Sequence, residues 1–307
     1  MSMVSPLEFA KTAWRYLAGK GVAGGNVIVF PDDTFLVSYQ RSGNTWTRFL
    51  IANLVHLDGV SFSNIEKLIP DIYVCSQRFL LSIPRPRILK SHEPFEPRYK
   101  RIVYIVRDPR DVAVSMYHWQ MKRRRIEDGY PIDQFVTRFI AGEFEPGAGS
   151  WGQNVGSWLA ARAATRDFLL LRYEDMMASS VRELTRVAEF LGIERDLGQV
   201  VRATELSSAD RMRKLEQDQS KIWKTTRETR QDKAFVRTAK AGGWRAELSI
   251  HSLAEITEAW GTLMKILGYE PPTQSPQDTS ANQQTLLQTL LEDGQVVEKR
   301  RRGHVLL

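Results

Sequence analysis

The sequence predicts a single α/β domain with a central parallel β-sheet flanked by helices. Short apolar strands alternate with amphipathic helices along the chain, which is typical of a parallel sheet covered on both faces. The segment RIVYIV at 101–106 is apolar after its first residue, as expected for a parallel strand buried on both sides. A chain of 307 residues is long enough for one sizeable core.

The predicted elements follow the order that such a sheet needs. The predicted strands are 27–30, 34–39, 87–90, 101–106 and 168–172. The predicted helices are 6–17, 45–56, 109–125, 132–140, 152–164, 180–191, 197–204, 208–215 and 252–267. Residues 217–243 are polar and basic without an apolar period, which predicts a long surface loop or lid. The domain is expected to span 1–272, and 273–307 form a polar, basic tail that could contain one extra helix.

The second strand, TFLVSY at 34–39, runs through a tight polar loop directly into a helix. A helix start offers unpaired backbone N–H groups and the positive end of the helix dipole, so a loop before it can hold a phosphate or sulfate group. Gly43 lets the backbone come close, Ser42 or Asn44 can cap the helix, and Arg41 adds a permanent charge. The same pattern also fits a capped strand-to-helix turn without a ligand. It is not a nucleoside-triphosphate loop, because no Gly-Lys-[Ser/Thr] is present.

Polar side chains follow two other strands at the edge where ligands bind in α/β sheets. Ser91-His92-Glu93 comes after strand 87–90, and Arg107 comes after strand 101–106. Asp108 is a candidate N-cap with Pro109 at the first helical position. Arg107 and Ser115 can meet if one ends the strand and the other lies two turns into the next helix.

The formal charge of +7 is local rather than spread over a face. The clusters at 122–125 and 299–302 together contain eight cations, more than the net charge of +7. This pattern favours helix ends, a tail, or a site for an anionic ligand over a broad nucleic-acid surface.

The chain contains no apolar run long enough for a membrane span and no secretory signal pattern, and its single cysteine, Cys75, fits a reducing cytoplasm.

These points converge on a nucleotide that carries charge at both ends of its ribose. The loop at 41–46 would take one anionic group, Arg107 and Ser115 a second, and the basic segment RTAKAGGWR at 237–245 would close over them. Trp46 could stack on the base and Tyr173 could border it.

Five segments, all in the same order, resemble the sulfotransferases that use 3′-phosphoadenosine 5′-phosphosulfate (PAPS). Segment 41–46 resembles the family's 5′-phosphosulfate loop, 90–92 its catalytic segment, and 107–115 its 3′-phosphate motif. Residues 173–176 are similar to the segment whose tyrosine contacts adenine, and 237–245 to the closing basic clamp. The resemblance covers about 39–268 and implies a phosphate-loop-like nucleotide-binding core. The nucleotide contacts that it implies are Arg41, Ser42, Gly43, Asn44, Thr45, Trp46, Arg107, Ser115, Tyr173, Ser207, Arg237, Thr238 and Ala239.

The sequence departs from the family pattern at several of these positions. Arg41 stands where the family usually has Lys, which keeps the charge but changes its mobility. Thr238 and Ala239 replace the Lys-Gly of the usual clamp, so 3′-phosphate binding there would depend on Arg237 and Lys240. Ala209 stands where an aromatic residue often stacks on adenine. The family's dimer-forming segment has no match here, so the oligomeric state stays open.

The resemblance implies transfer of a sulfuryl group from PAPS to a hydroxyl or amine of a small-molecule acceptor, leaving adenosine 3′,5′-bisphosphate. His92 would take the acceptor proton, while Lys90 and Arg41 would neutralise charge at the bridging oxygen and the departing phosphate. Glu93 is a rival base. No metal is implied. The competing classes are an ATP-dependent kinase-like enzyme and a nonenzymatic nucleic-acid binder. Tyr73, Phe79, Phe95, Tyr99 and Tyr117 could line an apolar acceptor pocket.

Overall fold

The computed structural model describes residues 21–57, 59–145 and 147–269. Within them, four parallel strands form one sheet in the order β2, β1, β3, β4. The strands are β1 (Thr34–Ser38), β2 (Ile88–Ser91), β3 (Arg101–Val106) and β4 (Phe168–Arg172). Because β1 has β2 on one side and β3 on the other, the chain changes its direction of travel across the sheet there. A ligand crevice is expected at the carboxyl ends of strands beside such a point.

Helices cover both faces of the sheet, as predicted. The α-helices are α1 (Asn44–His56), α2 (Ile65–Leu68), α3 (Gln77–Ser82), α4 (Pro109–Lys122), α5 (Ile132–Ile140), α6 (Trp151–Arg162), α7 (Tyr173–Ala178), α8 (Ser180–Leu191), α9 (Leu197–Leu206), α10 (Ala209–Gln219) and α11 (Ile250–Ile266). Short 3-10 helices occupy Gly24–Asn26 and Gly243–Ala246. Alternate residues of the central strands enter opposite cores, with Phe35 and Tyr104 in one core and Leu36 and Ile105 in the other. This two-sided burial explains why the strands are almost continuously apolar.

The predicted strand at 27–30 is wrong. In this segment the backbone amides and carbonyls form hydrogen bonds with side chains rather than with a neighbouring strand. The Ile28 amide donates to Gln77 Oε1 at 2.9 Å, and the Ile28 carbonyl accepts from Arg87 Nη2 at 3.0 Å. The Phe30 amide donates to Asp33 Oδ2 at 2.7 Å. Because Asp33 also binds the buried Arg87, a side-chain network replaces the strand pairing that the apolar run suggested.

Other differences concern short elements. The sequence did not predict α2, α3 or α7, which have four to six residues each and leave too few positions for a helical period. Helix α10 extends to Gln219, into the predicted loop, and no helix or strand interrupts the chain from 221 to 242. The predicted helix at 6–17 and the predicted tail at 273–307 lie outside the described residues, so the domain boundary at 272 stays a prediction.

Candidate active site

The carboxyl ends of the four strands open into a cavity of about 920 Å³. The β1–α1 loop, the residues after β2, Arg107 after β3 and Tyr173 after β4 all border it. The predicted nucleotide contacts, together with Lys90 and His92, all line this cavity except Ser42, which is buried. Four segments that are distant in sequence therefore meet at one place, because parallel strands all end at the same edge of the sheet.

The β1–α1 loop presents a helix start without a side-chain cap. Gly43 is the N-cap residue, with φ of 100°, and no side chain accepts a hydrogen bond from the first turn. The predicted capping by Asn44 is wrong, because Asn44 Nδ2 instead donates to the Leu36 carbonyl and Ser38 Oγ of β1, each at 3.2 Å. A Cβ atom at position 43 would lie 2.5 Å from Cδ2 of Tyr173, so both backbone and space require glycine. This leaves the positive end of the α1 dipole facing the cavity.

Arg41, Arg107 and Arg237 form a cluster of positive charge at the cavity. Burial, together with the nearby Arg107 and Arg237, lowers the pKa of Arg41 to about 9. Arg41 still carries its charge at neutral pH, and among the described residues no carboxylate forms a salt bridge with it. Its guanidinium lies over the Phe235 ring at 4.5 Å. Arg107 and Arg237 have carboxylate partners, Asp111 at 3.8 Å and Glu247 at 2.7 Å, so Arg41 is the member of the cluster that an anionic ligand would stabilise most.

Ser115 contacts Arg41 rather than Arg107. Arg41 Nε donates to Ser115 Oγ at 3.1 Å, whereas Arg107 Nη1 donates to the Arg41 carbonyl at 3.3 Å. The predicted meeting of Arg107 and Ser115 is therefore wrong; both contact Arg41 instead, Ser115 through the Arg41 side chain and Arg107 through the Arg41 carbonyl. The reason is that Arg107 turns over the Tyr173 ring, at 4.2 Å, and reaches the Lys240 carbonyl at 3.1 Å.

Three buried polar atoms at this end of the cavity have no hydrogen-bond partner among the described residues. Two can donate, Ser42 Oγ in the loop and Arg107 Nε, and one can only accept, Asn44 Oδ1. An unpaired buried donor costs roughly 1–3 kcal/mol, so such atoms are usually satisfied when a ligand is bound. Donors of this kind fit the phosphate oxygens of a nucleotide, which is the group that the sequence predicted here.

Lys90, within β2, and His92, directly after it, lie at the other end of the cavity. Lys90 Nζ donates to Asp71 Oδ2 at 2.5 Å, and both side chains are buried. Burial alone would raise the pKa of Asp71, but Lys90 and Arg48 outweigh burial and hold it below its usual range. Asp71 lies in a segment that runs beside β2, where the Lys90 amide donates to the Pro70 carbonyl at 2.9 Å. Asp71 was not predicted, because only this tertiary contact brings it to the site.

His92 is held in one tautomer. Its Nδ1 lies 2.7 Å from the Ser38 carbonyl oxygen, which can only accept, so Nδ1 carries the proton and Nε2 has the free lone pair. Its ring stacks on Tyr73 at 5.9 Å between centroids. Burial and, to a smaller extent, the charge of Lys90 lower the pKa of His92 to about 3, although Asp71 opposes the shift. The imidazole is therefore neutral at physiological pH and able to accept a proton.

Glu93, the rival base, accepts a hydrogen bond from the Tyr73 hydroxyl at 2.9 Å. The same hydroxyl accepts from the His92 amide at 3.0 Å. Glu93 is not among the residues that border the cavity, whereas Tyr73 and His92 are. Glu93 thus lies one side chain further from the cavity than His92 and contacts it through Tyr73.

Trp46, Tyr173 and the α9–α10 junction border the end of the cavity where the sequence predicts that the adenine ring of the nucleotide binds. Trp46 Nε1 donates to the Ser207 carbonyl at 3.0 Å, and its ring meets Tyr173 edge to face at 5.7 Å. The Ser207 hydroxyl is already engaged, since it donates to the Ala203 carbonyl at 2.8 Å and accepts from Asn53 Nδ2 at 2.9 Å. Ser207 therefore shapes this wall, while the exposed Ser208 beside it also borders the cavity.

The clamp residues Arg237, Thr238 and Ala239 form one side of the cavity mouth. Arg237 Nη1 donates to Glu247 Oε1 at 2.7 Å. Ala239 has φ of 48°, a left-handed conformation that glycine adopts more readily. The backbone therefore keeps the conformation that suits glycine, although this chain has alanine there.

The apolar acceptor pocket predicted from five aromatic residues is largely wrong. Of the five, only Tyr73 borders the cavity. Tyr99 is buried against Phe35, and the Tyr117 hydroxyl donates to the Tyr130 carbonyl. Phe79, Tyr99 and Tyr117 pack in or against the core around the sheet, whereas Phe95 is exposed. The cavity wall also includes aromatic and polar side chains that the sequence did not single out, namely Gln40, Asp71, Trp119, Arg123, Lys224, Thr225 and Phe235.

Comparison with known proteins identifies the family. A family model described as "Sulfotransferase domain" matches residues 31–268. Cytosolic sulfotransferase 12 of Arabidopsis thaliana is 31% identical over 249 residues, covering 73% of this chain and 74% of that protein. Sulfotransferase 2B1 of Mus musculus is 30% identical over 179 residues, covering 55% of this chain and 52% of that protein. The chain thus matches about half the length of the mouse relative.

Solved structures share the fold. Mouse sulfotransferase SULT7A1, crystallised in complex with PAP, has a TM-score of 0.64 at 22% identity, covering 79% of this chain and 88% of that one. Retinol dehydratase, in a complex with retinol and PAP, has a TM-score of 0.62 at 21% identity, covering 83% of this chain and 86% of that one. At these identities the likeness establishes the α/β fold and not the ligand.

The fold and the family match define a nucleotide-dependent group-transfer enzyme. The chain belongs to the sulfotransferase family. The predicted recognition is confirmed, and with it the class of enzyme and PAPS as the family's sulfuryl donor. In the part of the chain that the structure describes, no helix has both the length and the apolar character needed to cross a membrane.

Proposed function

We propose that this chain transfers a sulfuryl group from PAPS to a hydroxyl or amine of a small-molecule acceptor, with His92 as the base. The observation that carries the proposal is the meeting of Arg41, Arg107 and Arg237 with an uncapped helix start in one cavity, which His92 also borders. A ligand with anionic groups at two positions would neutralise this cluster.

Each residue has a definite task in this proposal. The α1 start and Arg41 would hold the 5′-phosphosulfate, while Arg107 and Arg237 would hold the 3′-phosphate, with Ser115 fixing the Arg41 side chain. Trp46 and Tyr173 would enclose the adenine. When bound, the nucleotide supplies the sulfuryl group and a stable phosphate leaving group.

The proton and the transferred group follow a balanced path. The acceptor oxygen or nitrogen forms a bond to sulfur, while the bond between sulfur and the bridging phosphate oxygen breaks. His92 Nε2 takes the acceptor proton, and the Nδ1–H bond to the Ser38 carbonyl stabilises the resulting imidazolium. Lys90 and Arg41 neutralise the charge that develops on the departing oxygen. The electrostatic task resembles that in phosphoryl transfer.

The alternatives receive less support from the same observations. Lys122 of the basic cluster at 122–125 is buried, and Arg123 is paired with Glu145 at 3.1 Å, which leaves only Arg124 and Arg125 exposed, too few charges for a nucleic-acid face. A kinase-like enzyme would need the missing Gly-Lys-[Ser/Thr] segment. The Arabidopsis relative is named a cytosolic sulfotransferase, which agrees with the cytoplasmic location that we propose for this chain.

The test is a transfer assay with sulfur-labelled PAPS and a panel of alcohols, phenols and amines. We expect labelled product with at least one acceptor class, formed together with one equivalent of adenosine 3′,5′-bisphosphate. His92→Asn is the matched inactive control, because it can still donate to the Ser38 carbonyl. Bisphosphate release without any labelled acceptor, at equal rates in both proteins, would contradict the proposal.

A further inference from the structure

Residues 230–239, which we call the closing segment, contribute Phe235 and the clamp residues to the cavity wall. The segment has no helix or strand of its own. Its backbone polar groups must therefore be satisfied by other parts of the molecule, and those parts decide where the clamp lies. The residues that hold the closing segment have no role in the sulfuryl transfer proposed above.

Glu216 of α10 satisfies the middle of the closing segment. Its Oε1 accepts from the Phe235 amide at 2.5 Å, and its Oε2 accepts from the Val236 amide at 2.8 Å. The residue is only 7% exposed. One buried carboxylate thus holds two consecutive amides, and this geometry fixes both the position and the direction of the chain at that point.

Lys122, at the end of α4, holds the beginning of the same segment. Its Nζ donates to the Arg230 carbonyl at 2.8 Å and also to the Lys233 carbonyl, while the Lys122 carbonyl accepts from the Arg230 amide at 2.9 Å. Lys122 is 1% exposed, and its Nζ lies 3.8 Å from Glu216 Oε1. The two buried charges therefore compensate each other while each binds the backbone of the closing segment.

The held segment in turn positions the nucleotide contacts. The Phe235 carbonyl accepts from Arg41 Nη2 at 3.3 Å, and the Arg41 guanidinium lies over both the Phe235 ring, at 4.5 Å, and the Trp119 ring, at 5.1 Å. Arg237 follows two residues later. Ion pairs of Arg230 and Lys233 with Asp128 also contact the segment, but Asp128 is half exposed and such surface pairs contribute little.

We propose that Lys122 and Glu216 are positioning residues that lock the closing segment against the nucleotide cavity. They act on donor binding rather than on the transfer step, because neither borders the cavity. The effect on donor binding rests on the proposed function, whereas the effect on the closing segment does not.

The test compares Glu216→Gln, Glu216→Asp and Lys122→Met with two matched controls, Asp218→Asn on the same helix and Lys221→Met, both exposed. Hydrogen exchange of the ligand-free protein at Phe235 and Val236 should accelerate about tenfold or more in the three variants and not in the controls. The Kd for adenosine 3′,5′-bisphosphate should rise about tenfold, while kcat at saturating PAPS changes less.

The outcomes separate the two proposals. Unchanged exchange at 235–236 in Glu216→Gln and in the milder Glu216→Asp would overturn the positioning role. Faster exchange in the variants, with no bisphosphate binding by the unaltered chain, would support the lock and refute the proposed function. Circular dichroism identifies any variant that fails to fold. If Glu216→Gln fails to fold, the exchange rate at 235–236 in Glu216→Asp, which keeps the charge, decides whether Glu216 positions the closing segment.

Discussion

Replacing His92 with asparagine removes the proposed proton acceptor but keeps the hydrogen bond to the Ser38 carbonyl. The side-chain amide of the introduced asparagine can reproduce the donation from Nδ1 to the Ser38 carbonyl, which spans 2.7 Å in this chain, but it offers no counterpart of the Nε2 lone pair. We therefore expect folding and nucleotide binding to survive, while proton transfer is lost.

The size of the effect depends on the strength of the base as well as on its protonation. With a pKa of about 3, only about one His92 ring in ten thousand is protonated at pH 7, so the base form is fully available, but the same low pKa makes the ring a weaker base than an ordinary imidazole. A positioned base contributes roughly 10²–10⁴-fold, or about 3–5 kcal/mol of transition-state stabilisation. His92→Asn should thus lower kcat by that factor and change the bisphosphate Kd by less than about threefold.

The assay is steady-state transfer with labelled PAPS, paired with calorimetric titration of the bisphosphate. Retention of more than about a tenth of the unaltered kcat would refute the reasoning and direct attention to Glu93.

The same pKa makes a prediction about stability. The unfolded histidine titrates near about 6.5, so below that pH the unfolded chain binds a proton that the folded chain does not. As the pH falls from 6.5 towards 3, His92 should therefore lower the free energy of unfolding by about 1.4 kcal/mol for each unit of pH. Urea unfolding at pH 7 and pH 5 should show a larger loss for the unaltered chain than for His92→Asn. Equal losses in both proteins would contradict the burial of a neutral ring.

Three further substitutions test other parts of the site. Arg107→Ala should weaken bisphosphate binding by about 2–3 kcal/mol in calorimetry, whereas Ala at the exposed Arg166 should not, and equal effects would count against the 3′-phosphate role. Asp71→Asn leaves the Lys90 charge buried without its partner, so urea unfolding should show a loss of about 3 kcal/mol; an unchanged midpoint would show that the pair is dispensable. Ala239→Gly removes a left-handed alanine and should raise the melting temperature through a gain of up to about 1 kcal/mol, and a lower melting temperature would contradict the strain.

The sequence predicted which residues meet at the proposed nucleotide end of the cavity because those residues follow strands directly. The loop after β1, His92 after β2, Arg107 after β3 and Tyr173 after β4 are each placed by the end of a strand with a clear apolar pattern. Parallel pairing then brings these ends to one edge, and no knowledge of side-chain packing is needed.

The parts that the sequence did not provide depend on tertiary contacts. Asp71 reaches Lys90 because 70–72 runs beside β2, although that segment has no strand pattern. The aromatic residues expected in the acceptor pocket had the right chemistry, yet nothing in their spacing distinguished a cavity wall from the core, where Tyr99 packs. Lys122 was interpreted as a helix-end charge, and its burial under the closing segment could not be seen from its position in a basic cluster.

The measurement that tests the central claim most directly is calorimetric titration of the full chain with adenosine 3′,5′-bisphosphate, alongside ATP with Mg²⁺ and a DNA oligonucleotide. We expect saturable binding of one bisphosphate per chain, weakened strongly by Arg107→Ala, and no comparable binding of ATP or the oligonucleotide. Absence of heat from the bisphosphate at high protein concentration, or equal binding by Arg107→Ala, would contradict it.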